Sequence, residues 1–213
     1  MKNYLTLMFG LAAVLWASAA TADGNYISMF SGAVFLDDYN GGVVVPPAPT
    51  LNGTFSTGYV LGGAIGRRLA HGCRAEIEFA YRNNTGDEWN VNGVAVGALD
   101  GRINSYANMV NLIHDCDSLR IGPLTPYFGG GVGYAVIDGD FTTAVTTIDI
   151  DDTEFAYQGI AGVSGKFLPN VDFFSEYRFF ATTNAQITSA NGLINESVSY
   201  VTHNVFLGLR YHF

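Results

Sequence analysis

Ionisable side chains recur at alternate positions in two short stretches of this sequence. In the run Arg74-Ala-Glu-Ile-Glu-Phe-Ala-Tyr-Arg82, one side of an extended backbone carries Arg74, Glu76, Glu78 and Arg82, with Ala80 among them; Ala75, Ile77, Phe79 and Tyr81 take the other. The stretch 171–180 repeats the pattern, with Asp172, Glu176 and Arg178 opposed by Val171, Phe173, Ser175, Tyr177 and Phe179. Arg210 sits on the polar side of the last such stretch, and Lys166 is placed with the same set. Carboxylates and guanidinium groups on one enclosed side can do two things. They can pair into a packed ion network that plugs the space, or they can line a narrow, gated path for water or ions, because buried charge must be paired or hydrated. Their clustering does not argue for acid–base catalysis, since structural ion networks perturb titration as active sites do.

The elements that must hold these charges are strands. The chain has 213 residues, enough for one domain or two small ones, with 26 Gly, 14% aromatic and only 14% charged residues. Its mean hydropathy of +0.19 excludes a disordered chain. Ten Lys and Arg stand against nineteen Asp and Glu, which excludes a nucleic-acid binder working by phosphate neutralisation. Met1-Lys2-Asn3, an uncharged apolar run from Tyr4 to Trp16 and the small-x-small site Ala20-Thr21-Ala22 predict a secretory signal peptide over residues 1–22, cleaved after Ala22. Residues 23–213 then form the mature domain.

Eight segments of that domain alternate with period two: 25–36, 55–69, 74–82, 104–115, 125–137, 154–167, 171–180 and 199–213. In the last, Val201, His203, Val205, Leu207, Leu209, Tyr211 and Phe213 share one face. Glycines such as Gly129, Gly130, Gly131, Gly159, Gly162 and Gly165 blur the others; in a narrow barrel they are expected to make room for large neighbours across the lumen. Connections alternate between tight (70–73, 168–170) or moderate (116–124) and long and polar (37–54, 83–103, 138–153, 181–197). Turns at one end, loops at the other and charge on the enclosed face predict an all-β fold: an eight-stranded antiparallel up-and-down transmembrane β-barrel in an outer membrane. Lipid offers no hydrogen-bond partner, so a spanning sheet must close. A lipocalin-like soluble barrel would put apolar side chains inside instead.

The chain ends Gly208-Leu-Arg-Tyr211-His-Phe213. A terminal Phe, an aromatic two residues earlier and Gly208 resemble the signal by which bacterial outer-membrane proteins are recognised by the barrel-assembly machinery. Together with 74–82, Pro126-Tyr-Phe-Gly-Gly-Gly-Val-Gly-Tyr134, Phe155-Ala-Tyr-Gln-Gly-Ile-Ala-Gly-Val163 and Glu176-Tyr-Arg178, the mature chain resembles the eight-stranded outer-membrane barrels, the OmpA-like and opacity-type surface antigens of the porin family. That family commonly carries Asn-x-x-Tyr-Asp-Phe in its fourth strand; here the segment is Asn111-Leu-Ile-His114-Asp115-Cys116, departing at His114 and Cys116. The resemblance implies residence in the outer membrane of a Gram-negative cell, among lipid and lipopolysaccharide. It leaves function open, since the fold hosts adhesins, stabilisers, small pores and enzymes. No peptidoglycan-binding segment follows Phe213, so a cell-wall tether of the OmpA kind is not expected.

Within that topology Cys73 precedes the third strand and Cys116 follows the fourth, so both thiols reach one periplasmic end. An oxidising compartment predicts a Cys73–Cys116 disulfide; two free or partly buried thiols are the alternative. The long connections are acidic, with Asp37, Asp38, Asp87, Glu88, Asp100, Asp138, Asp140, Asp149, Asp151, Asp152, Glu154 and Glu196. They suit a solvated surface, divalent bridging to lipopolysaccharide or contact with a host surface or matrix ligand. Asp149-Ile-Asp151-Asp152 lacks the Gly and terminal Glu of an EF-hand loop. Val43-Val-Val-Pro-Pro-Ala-Pro49 could stiffen a partner-contacting tip. Tyr26, Tyr59, Tyr106, Tyr127, Tyr134, Tyr177, Tyr211 and Phe213 are candidates for interfacial girdles, some of them packing inside instead. A lipid-A hydrolase barrel would need an outward His and Ser. His203 and Ser175 face outward, but the His-x-Ser spacing is absent and no outward carboxylate is evident. We therefore expect a non-enzymatic surface protein with no cofactor and no metal site, or a small porin-like channel.

Overall fold

A computed structural model describes residues 24–42, 49–143, 147–189 and 195–213. The predicted signal peptide and most of the Val43–Pro49 tip lie outside these residues. The chain forms strands β1 (Asn25–Leu36), β2 (Tyr39–Gly42), β3 (Thr50–Phe55), β4 (Gly58–Arg68), β5 (Cys73–Val91), β6 (Val94–Ala98), β7 (Asp100–Asp115), β8 (Leu124–Thr142), β9 (Thr147–Leu168), β10 (Val171–Ser189) and β11 (Asn195–His212). Eight of the eleven close a ring of antiparallel pairs in the order β1-β4-β5-β7-β8-β9-β10-β11, and β1 returns to β11 from Tyr26↔His212 to Leu36↔Thr202. Closure leaves no edge in the ring, the condition a sheet must meet in hydrocarbon.

The long polar connections expected over 83–103, 138–153 and 181–197 are largely strand. β5 runs to Val91, β8 to Thr142, and β9 is 22 residues long. A strand needs about 9–11 residues to cross the apolar layer, so roughly half of β9 projects beyond it. The short strands widen this projection: β3 and β6 pair with the upper part of β5, and β2 pairs with β3. Polarity misled the loop expectation because these extensions keep their alternation in water: Ile137, Phe141, Ile148 and Ile150 are buried while Asp138, Asp140, Asp149 and Asp151 are exposed. The inward set joins Tyr39, Leu51, Trp89 and Leu99 in an apolar core within the projecting half.

On the spanning half the alternation reverses. Met29, Leu61, Val110, Leu112, Val132, Leu207 and Leu209 are exposed, forming the band that faces lipid. Tyr59, Tyr81 and Tyr106 form a ring chain at its upper edge, with centroid spacings of 6.0 and 5.1 Å. Tyr211 and Phe213 pack edge-on at the lower edge. Tyr26 and Tyr127, candidates for the girdles, instead point inward and are buried.

Glycine sets the local spacing of the interior. Tyr26, Phe30, Tyr127 and Phe174 each lie over the glycine directly opposite on the next strand: Gly66, Gly62, Gly162 and Gly208. A Cβ on Gly62 would sit 2.3 Å from Phe30 Cζ, and one on Gly208 2.3 Å from Phe174 Cζ. The room is thus made for the adjacent strand's ring and not, as expected, for a neighbour across the lumen, so each ring lies along the wall.

Candidate functional site

The interior of the spanning half is an ion network. Arg74, Glu76, Glu78 and Arg82 enter from β5, Glu176 and Arg178 from β10, and Arg210 from β11; all are buried. β5 and β10 are diametrically opposite in the ring. Arg178 nonetheless bonds Glu78 on β5 through Nη1 and Glu176 on its own strand through Nε. The Arg178 and Glu78 side chains together therefore span the barrel diameter, in keeping with an eight-stranded interior just wide enough for side chains to fill. Its plane lies over Phe30 and Phe206, 5.1 and 5.0 Å from their centroids.

Neutral side chains complete this layer. Asn111 Nδ2 donates to Glu78 Oε2 at 2.8 Å, Gln158 Nε2 donates to Asn111 Oδ1 at 2.7 Å, and the Tyr127 hydroxyl donates to Glu176 Oε2 at 2.9 Å. Towards the periplasmic mouth, Tyr26 OH donates to Glu76 Oε1 at 2.7 Å, and Arg74 pairs with Glu76 at 3.5 Å and with Asp115 at 3.2 Å. Arg210 lies over Tyr26 and Phe174, at 5.0 and 5.2 Å. Towards the outside, Arg82 Nε donates to Asn204 Oδ1 at 3.2 Å and its guanidinium sits 4.0 Å from the Phe180 centroid. Above Phe180 begins the apolar core of the projecting half. Arg74 and Arg178 take all four carboxylates, Glu76, Asp115, Glu78 and Glu176, while Arg82 and Arg210 rest on aromatic rings, so four cations and four carboxylates share the interior.

The structure thus assembles seven of the eight predicted network residues. Lys166 is the exception: it is exposed at the periplasmic mouth, lining a vestibule of about 740 Å³ with Arg68, Asp172 and His212. Its parity is inward, but β9 ends at Leu168, so the side chain emerges where the wall stops. Sequence reasoning passed over Tyr26, Tyr127, Asn111, Gln158 and Asp115. Their inward parity was the available signal, and it was masked by polar residues on both faces and by neighbouring glycines.

Cys73 and Cys116 are both free thiols, in place of the expected disulfide. They do share the periplasmic end, as the topology required. Register puts Cys73 opposite His114 rather than Cys116, with Cys73 Sγ 3.6 Å from His114 Nδ1. Cys116 turns towards β8, its amide donating to Pro126 O at 2.8 Å.

His203 faces outward, and a carboxylate does approach it: Asp37 Oδ1 lies 3.6 Å from Nε2, while Tyr177 OH contacts Nδ1 at 2.6 Å. The serine is misplaced for a triad. His203 pairs with Phe179, and Ser175 lies four residues along the same strand, roughly 13 Å away at strand rise. Gly208, Tyr211 and Phe213 stand in the closing strand pair: Tyr211 pairs with Ile27 and Val171, and Phe213 N donates to Asn25 O at 3.1 Å.

The chain resembles several known proteins across most of its length. An outer membrane protein of Gluconacetobacter diazotrophicus is 28% identical over 95% of this chain and 61% of its own length, so this chain spans about three-fifths of that relative. Neisserial surface protein A shares the fold at 16% identity and a TM-score of 0.55, covering 91% of this chain and 99% of its own. The outer membrane protein AlkL does so at 17% and 0.56, covering 92% and 93%. A family model described as surface antigen matches residues 98–204, from the end of β6 through most of β11. Half of the chain falls within that match and the ring closes as a barrel with a lipid-facing band, so this outer-membrane protein of Gram-negative type belongs to the surface antigen family.

Proposed function

We propose that the protein is a non-enzymatic surface barrel that strengthens the outer membrane and presents its projecting half to the outside for adhesion or host contact, after removal of residues 1–22. The observation that carries this reading is the Arg178 bridge across the full diameter to Glu78, capped by the apolar core beyond Phe180. A charge-balanced interior filled by its own side chains supports a plug over a conducting path. The outward aspartates of β8 and β9 put a hydrated, anionic face where lipopolysaccharide sugars and their bridging divalent cations, or a matrix ligand, would meet it. The barrel-assembly machinery is the partner its closing strand implies.

Planar-bilayer recording of the refolded mature barrel, beside Glu78→Ala, tests the plug. The expected result is a silent membrane for the parent, with folding confirmed by heat-modifiable mobility. Reproducible conductance steps that change with Glu78→Ala would overturn it in favour of the porin-like reading. Shortening the β8–β9 hairpin beyond Val136 tests the surface role: binding of expressing cells to matrix or host cells is expected to fall while the barrel still folds.

A further inference from the structure

The residues His71-Gly72-Cys73 and His114-Asp115-Cys116 are two copies of one pattern, His-x-Cys, and the fold lays them side by side. Cys73 pairs with His114, and the amide of Asp115 donates to Gly72 O at 2.8 Å. His71 stands on the turn before β5 and Cys116 just past the end of β7, and both line one pocket. Cys73 and His114 share the outward parity of Ala75, Ile77, Val110 and Leu112, and His71 and Cys116 flank them on the turn before β5 and the segment after β7. His71, His114 and Cys116 line one shallow pocket of about 360 Å³ with Phe128, whose ring lies 5.7 Å from that of His114. The pocket is at the periplasmic rim, reachable from solvent: His71 is exposed, and Cys73, His114 and Cys116 are half-buried.

We propose that His71, Cys73, His114 and Cys116 form a tetrahedral binding site for Zn2+ that staples the β4–β5 turn to the end of β7. Two thiolates and two imidazoles are a donor set that Zn2+ takes in structural sites. Bonds of about 2.3 Å to sulfur and about 2.05 Å to nitrogen at a tetrahedral angle set those two ligands roughly 3.6 Å apart. Cys73 Sγ and His114 Nδ1 are 3.6 Å apart. A thiol–imidazole hydrogen bond has the same span; the remaining His71 and Cys116, lining one pocket with His114, are what make the pair half of a ligand set. Among the described residues no three such groups converge at ligand distance; the proposed site is completed by rotation of the His71 and Cys116 side chains about their own bonds. Binding displaces the two thiol protons to solvent, giving a site with no net charge and no change of oxidation state. The same ion keeps both sulfurs as thiolate ligands in a compartment that would otherwise oxidise them.

The test is Co2+ and Zn2+ titration of the mature barrel, refolded in detergent and kept reduced with a phosphine. The expected result is the intense visible absorption of tetrahedral Co2+ with a thiolate charge-transfer band, saturating at one ion per chain and displaced by Zn2+. Cys116→Ser and His71→Asn are each expected to weaken binding by roughly tenfold or more, as loss of a ligand demands. His71 lies on an exposed turn at φ 60°, a conformation asparagine tolerates, so His71→Asn remains decisive if a cysteine variant fails to fold. Heat-modifiable mobility verifies folding of each. A folded, reduced parent without that absorption would overturn the proposal. So would a spectrum indifferent to both variants, or a Cys73–Cys116 disulfide that re-forms in air despite stoichiometric Zn2+.

Discussion

Replacing Arg178 by alanine removes the cation that two carboxylates share. Its side chain is 2% exposed, and those of Glu78 and Glu176 are 0% and 2%. Neither carboxylate can turn to water, and each keeps only a neutral donor, Asn111 or Tyr127. Breaking a buried pair from one side costs about 3–5 kcal/mol, because an uncompensated charge is left behind. Here two carboxylates lose one partner, so the upper part of that range applies: roughly a thousandfold in the folding equilibrium. Lysine restores the charge but cannot fork between Nε and Nη1, so Arg178→Lys is expected to recover only part of the loss. Equilibrium unfolding by guanidinium in lipid vesicles, followed by tryptophan fluorescence and heat-modifiable mobility, measures the change. Arg178→Ala combined with Glu78→Gln and Glu176→Gln should be more stable than Arg178→Ala alone, because the orphaned charges are gone. A loss below about 1 kcal/mol for Arg178→Ala, the value of an exposed pair, would refute the claim that this bridge fills and holds the interior. So would a triple variant no better than the single one.

Other expected outcomes follow from the same geometry. Gly208→Ala puts a Cβ 2.3 Å from Phe174 Cζ and 2.6 Å from Met29 O, so it should cost about 1–3 kcal/mol by overpacking; a fully stable variant that fails only in cellular assembly would show that Gly208 serves recognition alone. Trp89→Ala removes the ring stacked 6.1 Å from Tyr39 in the apolar core. It should lower stability by roughly 3–5 kcal/mol, with faster hydrogen exchange in β2, β3 and β6 but not in the spanning ring. The hydrogen bond with Asp140 raises the Asp149 carboxyl above its ordinary range, with repulsion between the two carboxylates adding to this. The folded hairpin then holds a proton better than the unfolded chain, so this stabilisation is present at acidic pH and lost as pH rises through the raised value. Exchange protection of amides 138–151, corrected for intrinsic rates, should fall on going from mildly acidic to neutral pH, and Asp140→Asn should flatten that dependence.

Much of the candidate site was legible before any coordinates. Period two is a local property of the backbone, so Arg74, Glu76, Glu78, Arg82, Glu176, Arg178 and Arg210 could be placed on the enclosed face from parity alone, and Leu207, Leu209 and Tyr211 on the lipid face. Where parity was diluted the reading weakened. Tyr26 and Tyr127 stand amid small and polar neighbours, and only the glycines beside them on the next strands, Gly66 and Gly162, make their inward place comprehensible. The extracellular segments read as loops because their outer faces are aspartate-rich and their spacing is polar. Their strand character rests on a core assembled from β2, β3, β5, β7, β8, β9, β10 and β11 at once, which no single window of sequence displays.

The sequence by itself determined the compartment, the number of strands in the ring and the face of every predicted network charge but Lys166, because composition, turn spacing and alternation are written within a dozen residues of one another. The tertiary structure alone decided which charges meet. Arg178 reaches Glu78 because an eight-strand ring sets β5 opposite β10. Lys166 escapes because the wall ends beside it, and Cys73 finds His114 instead of Cys116 because the register of β5 on β7 falls where it does. Closure and register are properties of the whole ring, fixed by strand tilt and stagger, and no local pattern specifies them.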